Sequence, residues 1–322
     1  MKKEGIGGYF ELELQPSKNK LFKSNAVYVN SGRNAFEYII RSIPKVNKVW
    51  MPYYTCSSLQ EPISRLNLEI EYYHINAQLE IDNIDSIHLG INDYLLYTNY
   101  FGVKGNYADF LQQKIQDNLI LDNSQALFYS PSNFCFYSPR KFVGLPDGGV
   151  AFSQYHYLLR EKDILSYDRF SHLLKRFDLK ASEGYEDFKE NGAKISGLEL
   201  KEISSLTYSL IQSIDFEPIK QKRTANFKYL HKYLGEYNEF SIDINNIDGP
   251  LVYPFLYQSG NLRSKLIQNK IYVATYWPNV LSLMKEDSVE YALAHNTLHL
   301  PIDKRYREGD LKRVLTLIEK NI

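Results

Sequence analysis

The sequence predicts an α/β chain with a mainly parallel sheet carrying helices on both faces, followed by a smaller α+β part. Three observations predict it. Short apolar runs alternate with amphipathic segments of helical period from residue 26 to residue 122. The runs end in small or polar residues, as strands do where they open onto a site edge. Beyond residue 217 the runs become short and mixed, so the chain divides into a large part, 1–217, and a small part, 218–322.

Residues 1–24 read as an irregular or extended lead-in, with Gly7-Gly8 and Pro16 as breakers. Ala26–Val29 is a strand, and Ser31-Gly32-Arg33 opens a helix with Phe36, Ile39, Ile40 and Ile43 on its apolar face. Val49–Met51 is the next strand, and a helix follows Cys56 to Leu66. Glu69–Ile75 alternates as a strand does, Asp93–Thr98 is a strand, and a helix starts near Asn106. Leu119–Leu121 leads into Asp122, and Phe134–Tyr137 and Val150–Phe152 are further strands. A helix is expected over Leu198–Ile214 and another beyond Ile219. Leu251–Tyr257 and Ile271–Thr275 read as strands around a helix at Leu262–Gln268. Thr297–Leu300 is a short strand before a closing helix near Glu308. In such a sheet Asn30–Gly32, Met51–Thr55, Asn99 and Asp122 fall along one edge, although they are far apart in sequence.

Composition narrows the function. Lys plus Arg and Asp plus Glu each number 38, so no basic excess points to nucleic acid. Two cysteines, Cys56 and Cys135, fit a reducing compartment. No apolar run has the length of a membrane span, and the N-terminus lacks the apolar stretch of a secretory signal, so a cytoplasmic protein is expected. His295 and His299 are four apart, but no carboxylate is matched to them, and no metal site is expected. A hydrolase nucleophile elbow is absent from the sequence.

The chemistry concentrates between Asp122 and Gly149. This stretch holds an acid, an amide and a lysine in an order that suits pyridoxal phosphate (PLP). That cofactor draws electrons only while its ring nitrogen is protonated, and a carboxylate beside the nitrogen favours the charged ring; Asp122 is the candidate. Lys141 is the candidate for the Schiff-base lysine, which also shuttles a proton. Gln125 is placed to hydrogen-bond the ring hydroxyl, and Ser138, three residues before the lysine, to reach the phosphate. Gly148 and Gly149 allow backbone close to the lysine segment. Taken singly, an Asp at a strand end is often a turn residue and a Lys is usually solvated.

Asp122-Asn-Ser-Gln125-Ala126, with Lys141 followed at the family's offset by Pro146-Asp147-Gly148-Gly149, resembles the DegT/StrS sugar aminotransferases. The resemblance spans about residues 25–320 and is tightest over 122–149. It implies PLP fold type I, with a seven-stranded, mainly parallel sheet and a small C-terminal α+β domain. It also implies Asp122 on the pyridinium, Gln125 on the ring hydroxyl and Lys141 bound to the cofactor. Ser31-Gly32-Arg33 resembles the family's Ser-Gly-Thr turn for the PLP phosphate. Arg33 stands where the threonine does, leaving either its side chain or the backbone to bind. The family serine before the lysine is Phe136 here, with Ser138 nearby. In the Pro52–Cys56 turn, Cys56 stands where an aromatic stacks on the cofactor, so Tyr53 or Tyr54 is the alternative. The family's Asn-x-Arg, which reaches the neighbour's phosphate, is replaced by Gly197-Leu198-Glu199-Leu200. The implied activity is amino transfer from glutamate to a nucleotide-linked keto sugar, in surface polysaccharide or secondary-metabolite synthesis, by a homodimer. The rival expectations are a PLP lyase or dehydratase, against which Lys141 argues, and a non-catalytic PLP-fold protein.

Overall fold

The structure is a computed structural model that describes residues 6–22, 25–258 and 260–322. The lead-in expected over 1–24 falls partly on residues 1–5 and 23–24, which lie outside the described residues; residues 6–22 form neither helix nor strand. Among the described residues the chain builds eleven α-helices and nine strands.

Seven strands form one sheet in the order β1 (Val27–Val29), β7 (Gly149–Ser153), β6 (Phe134–Tyr137), β5 (Leu119–Asp122), β4 (Asp93–Thr98), β2 (Lys48–Pro52) and β3 (Glu69–Tyr73). Only β7 runs against the others, pairing antiparallel with β1 on one side and β6 on the other. The mainly parallel sheet is therefore as expected, and its central strands are buried on both faces. Leu95, Leu96, Ile120 and Leu121 are fully buried, the run of apolar residues that a covered parallel strand needs.

The antiparallel β7 matters for the site. Its start, Gly149, pairs with Val29 at the end of β1, while Val150 pairs with Tyr137 at the end of β6. Asp122 pairs with Phe136 and with Thr98. The ends of β1, β4, β5 and β6 and the start of β7 thus meet at one edge. Helix α1 (Gly32–Ser42) leaves that edge and lays Phe36, Ile39 and Ile40 on β6 and β7, all of them buried. Each such side chain contributes about 1.5–3 kcal/mol of apolar burial.

Two expectations are corrected. The helix expected over Leu198–Ile214 is shorter, α6 (Ser205–Ser213). Ahead of it the chain is extended along β1: Asn30 N–H donates to the Lys201 carbonyl and Ile203 N–H to the Tyr28 carbonyl. The Ser204 hydroxyl then caps α6 by accepting from Thr207 N–H. Sheet-edge pairing outweighs local helical period there. The strand expected at Ile271–Thr275 does not form; Ala274 makes a single bridge to His299 of β9 (Thr297–Leu300). Among the described residues the small sheet therefore pairs β9 with β8 (Tyr253–Leu256) alone. The 18-residue helix α7 (Glu217–Leu234) leads from the large sheet to this region. A separate apolar cluster joins Phe227 and Leu230 of this helix to Phe255, Leu300 and Leu315.

Candidate active site

Asp122 ends β5 with its side chain buried. Its carboxylate accepts from Ser124 N–H at 2.8 Å and from the Thr98 hydroxyl at 3.5 Å. Burial raises its pKa, and the Lys141 ammonium opposes that rise. Lys141 closes the turn Pro139–Lys141 after β6, and its Nζ donates to the Ser124 hydroxyl at 2.8 Å. Ser124 therefore touches both charged groups, the amine through its hydroxyl and the carboxylate through its backbone. The sequence places Ser124 inside the Asp-x-x-Gln element, but nothing in the pattern assigns it this contact.

Gln125 is fully buried. Its Oε1 accepts from Phe101 N–H at 2.9 Å, and its Nε2 has no partner among the described residues. A buried donor without a partner costs roughly 1–3 kcal/mol. It is a group in want of an acceptor.

The loop from β1 into α1 forms a cradle. Ser31 caps α1, its hydroxyl accepting from Asn34 N–H at 3.1 Å. The first amides of the helix are left for an anion, reinforced by the helix dipole. A Cβ added to Gly32 would lie 3.3 Å from the Ser138 hydroxyl, and one on Gly149 only 2.2 Å from the Ser31 carbonyl. Gly149 is thus packed backbone to backbone on Ser31 and Gly32, and the Ser138 side chain closes on Gly32. Arg33 is turned away to an ion pair with Glu61 and a 3.1 Å hydrogen bond to the Ser196 hydroxyl. Of the two ways Arg33 was expected to serve a phosphate, this leaves its main-chain N–H.

The tyrosines are otherwise occupied. Tyr54 is buried, its ring 5.5 Å from Tyr100 and 5.1 Å from Trp277. Tyr53 stacks on Tyr72 at 5.0 Å. Cys56 is half-buried. Three further residues lie near the crevice: Tyr276, in a turn that the resemblance implies closes over the site, Arg223, to which the sequence gives no role, and His299, weighed above only as half of a metal pair. Tyr276, pushed up to about 12 by burial, feels the charge of Arg223 and the Cys56 thiol. Arg223, lowered to about 10 mainly by burial, donates to the carbonyls of Leu251 and Phe142, the latter next to Lys141. His299 is buried, its Nδ1 at 2.9 Å from the Ala274 carbonyl and its Nε2 without a partner among the described residues. That places it in β9, away from His295 at the end of α10 (Val289–Asn296).

Asp147, just before the paired glycines, is buried and accepts from Ser166, Arg169 and Thr207 at 2.6–2.7 Å. Arg169 also donates to Asp163 at 2.8 Å. This network ties the lysine loop to the helical region behind it. Among the described residues, no helix is long and apolar enough to cross a membrane.

No family model matches the sequence, and no curated protein matches it. Solved structures do match the fold over nearly the whole chain. The sugar aminotransferase CalS13 from Micromonospora echinospora is 14% identical with a TM-score of 0.64, over 92% of this chain and 88% of that one. A DegT DnrJ EryC1 StrS aminotransferase from Brucella abortus is 13% identical with a TM-score of 0.62, over 92% and 85%. The Bacillus subtilis NtdA structure with bound cofactor PMP is 14% identical with a TM-score of 0.64, over 93% and 74%. The chain has the fold of these aminotransferases.

Proposed function

We propose that the chain is a PLP-dependent sugar aminotransferase of the DegT/StrS type. The observation that carries this reading is the Lys141–Ser124–Asp122 contact at the sheet edge, with a glycine-lined cradle beside it. The residues fit the cofactor: an unpartnered buried amide at Gln125, a hydroxyl at Ser138, open helix amides at Gly32 and Arg33, and a buried carboxylate at Asp122. Bound there, PLP supplies an electron sink for charge developing at the carbon that carries the amine. Asp122 holds the ring-nitrogen proton, an arrangement that also relieves the burial cost of its own charge. The unpartnered Gln125 Nε2 would be available to donate to the ring oxygen. Nζ of Lys141 would hold the cofactor and would move the proton exchanged with the reacting carbon. Ser124 steadies that amine.

In this reading the donor is glutamate and the acceptor a keto group on a nucleotide-linked sugar, in surface polysaccharide or secondary-metabolite synthesis. The enzyme works in the cytoplasm as a homodimer. The sugar acceptor is supported by the shared fold with CalS13, a sugar aminotransferase. The test is nitrogen transfer from ¹⁵N-glutamate to a panel of nucleotide-linked keto sugars, read by mass spectrometry. Labelled amino sugar is expected from at least one acceptor; label in none, from protein carrying PLP, overturns the reading.

A further inference from the structure

The first described stretch of the chain stands away from the body. Ile6, Tyr9 and Phe10 are fully exposed and Leu12 largely so. Residues 6–16 make no hydrogen bond to the rest of the described chain, whereas the segment just after them is pinned. Ser17 N–H donates to the Gln212 carbonyl at 2.7 Å, and Phe22 packs 4.7 Å from Tyr137. From Phe10 the arm alternates apolar and acidic: Phe10, Glu11, Leu12, Glu13, Leu14. An extended chain with that period carries its apolar side chains on one face and its carboxylates on the other. A monomer rarely leaves such a run of apolar side chains in water.

A groove of about 830 Å³ opens at the root of this arm. Its apolar floor is Phe22, Phe128 and Phe216, and its rim carries Lys18, Lys20 and Lys220. Glu217 also lines it, and Lys220 is paired with Asp248 at 2.9 Å, so the positive charge offered at the rim comes from Lys18 and Lys20. The groove thus offers aromatic rings to the arm's apolar face and ammonium groups to its carboxylates. Because Lys18 and Lys20 follow the arm directly, residues 6–14 could enter the groove of their own copy only if the chain doubled back within residues 15–17. Nine extended residues reach about 30 Å, enough to cross to a neighbouring copy.

We propose that residues 6–14 of one copy lie in this groove of a second copy, and that the exchange is reciprocal. The occupant is a second copy because charge and apolar pattern match the arm to the groove. The inference stands whether or not the aminotransferase reading does, since its readout is association and not turnover.

Two full-length variants test it. One carries Glu11→Lys and Glu13→Lys; the other carries Lys18→Glu and Lys20→Glu. All four positions are exposed, so folding is not at stake. Sedimentation should show a dimer for the unaltered chain. Each variant alone should dissociate about tenfold more readily or worse, because arm and groove then carry like charge. Their mixture should form a heterodimer, in which both arm–groove contacts are again complementary. Native mass spectrometry with differently tagged chains reads this directly. A monomeric unaltered chain, homodimers of undiminished strength, or a mixture that does not associate would each overturn the proposal.

Discussion

Asp122 is a carboxyl in a place where water does not reach it, and that sets its behaviour. Burial raises its pKa above the usual carboxylate range, with Lys141 opposing. A carboxyl whose folded pKa is raised gives the fold stability that is complete below its unfolded pKa, near 3.8, and is lost as pH rises through the folded value. Above that window Asp122→Asn should therefore make the cofactor-free chain more stable, and below about pH 4 the gain should vanish. Urea denaturation of both proteins at pH 7.5 and pH 3.5 checks it; an equal gain at both pH values would rule out the ionic origin. The same variant should bind PLP more weakly. His299 carries the opposite sign. Burial lowers it to about 3, so its stability is present above pH 6.5 and falls as pH drops, by about 1.4 kcal/mol per unit. His299→Leu should flatten that fall between pH 6.5 and pH 5; an unchanged slope would place the titration elsewhere. That Asp122, Gln125 and Lys141 lie near one sheet edge could be expected from the sequence, because their spacing is local to one stretch. The contact of Ser124 could not, because a serine in that run carries no signal of its own, and that of His299 could not, because its partner Ala274 comes from another segment.

At the scale of elements, β7 carries the heaviest constraint. Its first residue, Gly149, lies so close to Ser31 that any Cβ meets backbone at 2.2 Å. Gly149→Ala should push β7 from α1, destabilise the fold by on the order of 3 kcal/mol and weaken PLP binding by more than the stability loss accounts for. Thermal unfolding and a cofactor titration measure the two effects, and an unchanged melting temperature would contradict the packing. Behind β7, Arg169→Met leaves Asp147 and Asp163 buried without their cation, at a cost of about 3–5 kcal/mol. Adding Asp147→Asn should recover part of it, as a denaturant double-mutant cycle would show. Strands β4 and β5 could be read from their apolar runs, which few other structures satisfy. The segment before α6 could not, since its extended form depends on the free edge of β1. Nor could the loss of the strand at Ile271–Thr275, where one bridge replaces a ladder.

At the scale of the whole molecule, the alternation of runs and helices was enough to read the layered sheet, because connection rules leave few topologies for it. It did not reveal that β7 alone is reversed, although that reversal brings Gly149 to the cradle. We propose that the chain divides near residue 217, where α7 begins and beyond which the second apolar cluster gathers. Arg223 bridges the two parts, with hydrogen bonds to the carbonyls of Phe142 and Leu251. The account rests on one amine and one carboxylate serving the same cofactor. Incubating the chain with PLP, reducing it with borohydride and mapping the peptides by mass spectrometry tests this most directly. A pyridoxyl group on Lys141, and its loss in Lys141→Ala, is the predicted result; labelling spread over surface lysines, with Lys141 unmodified, would contradict it.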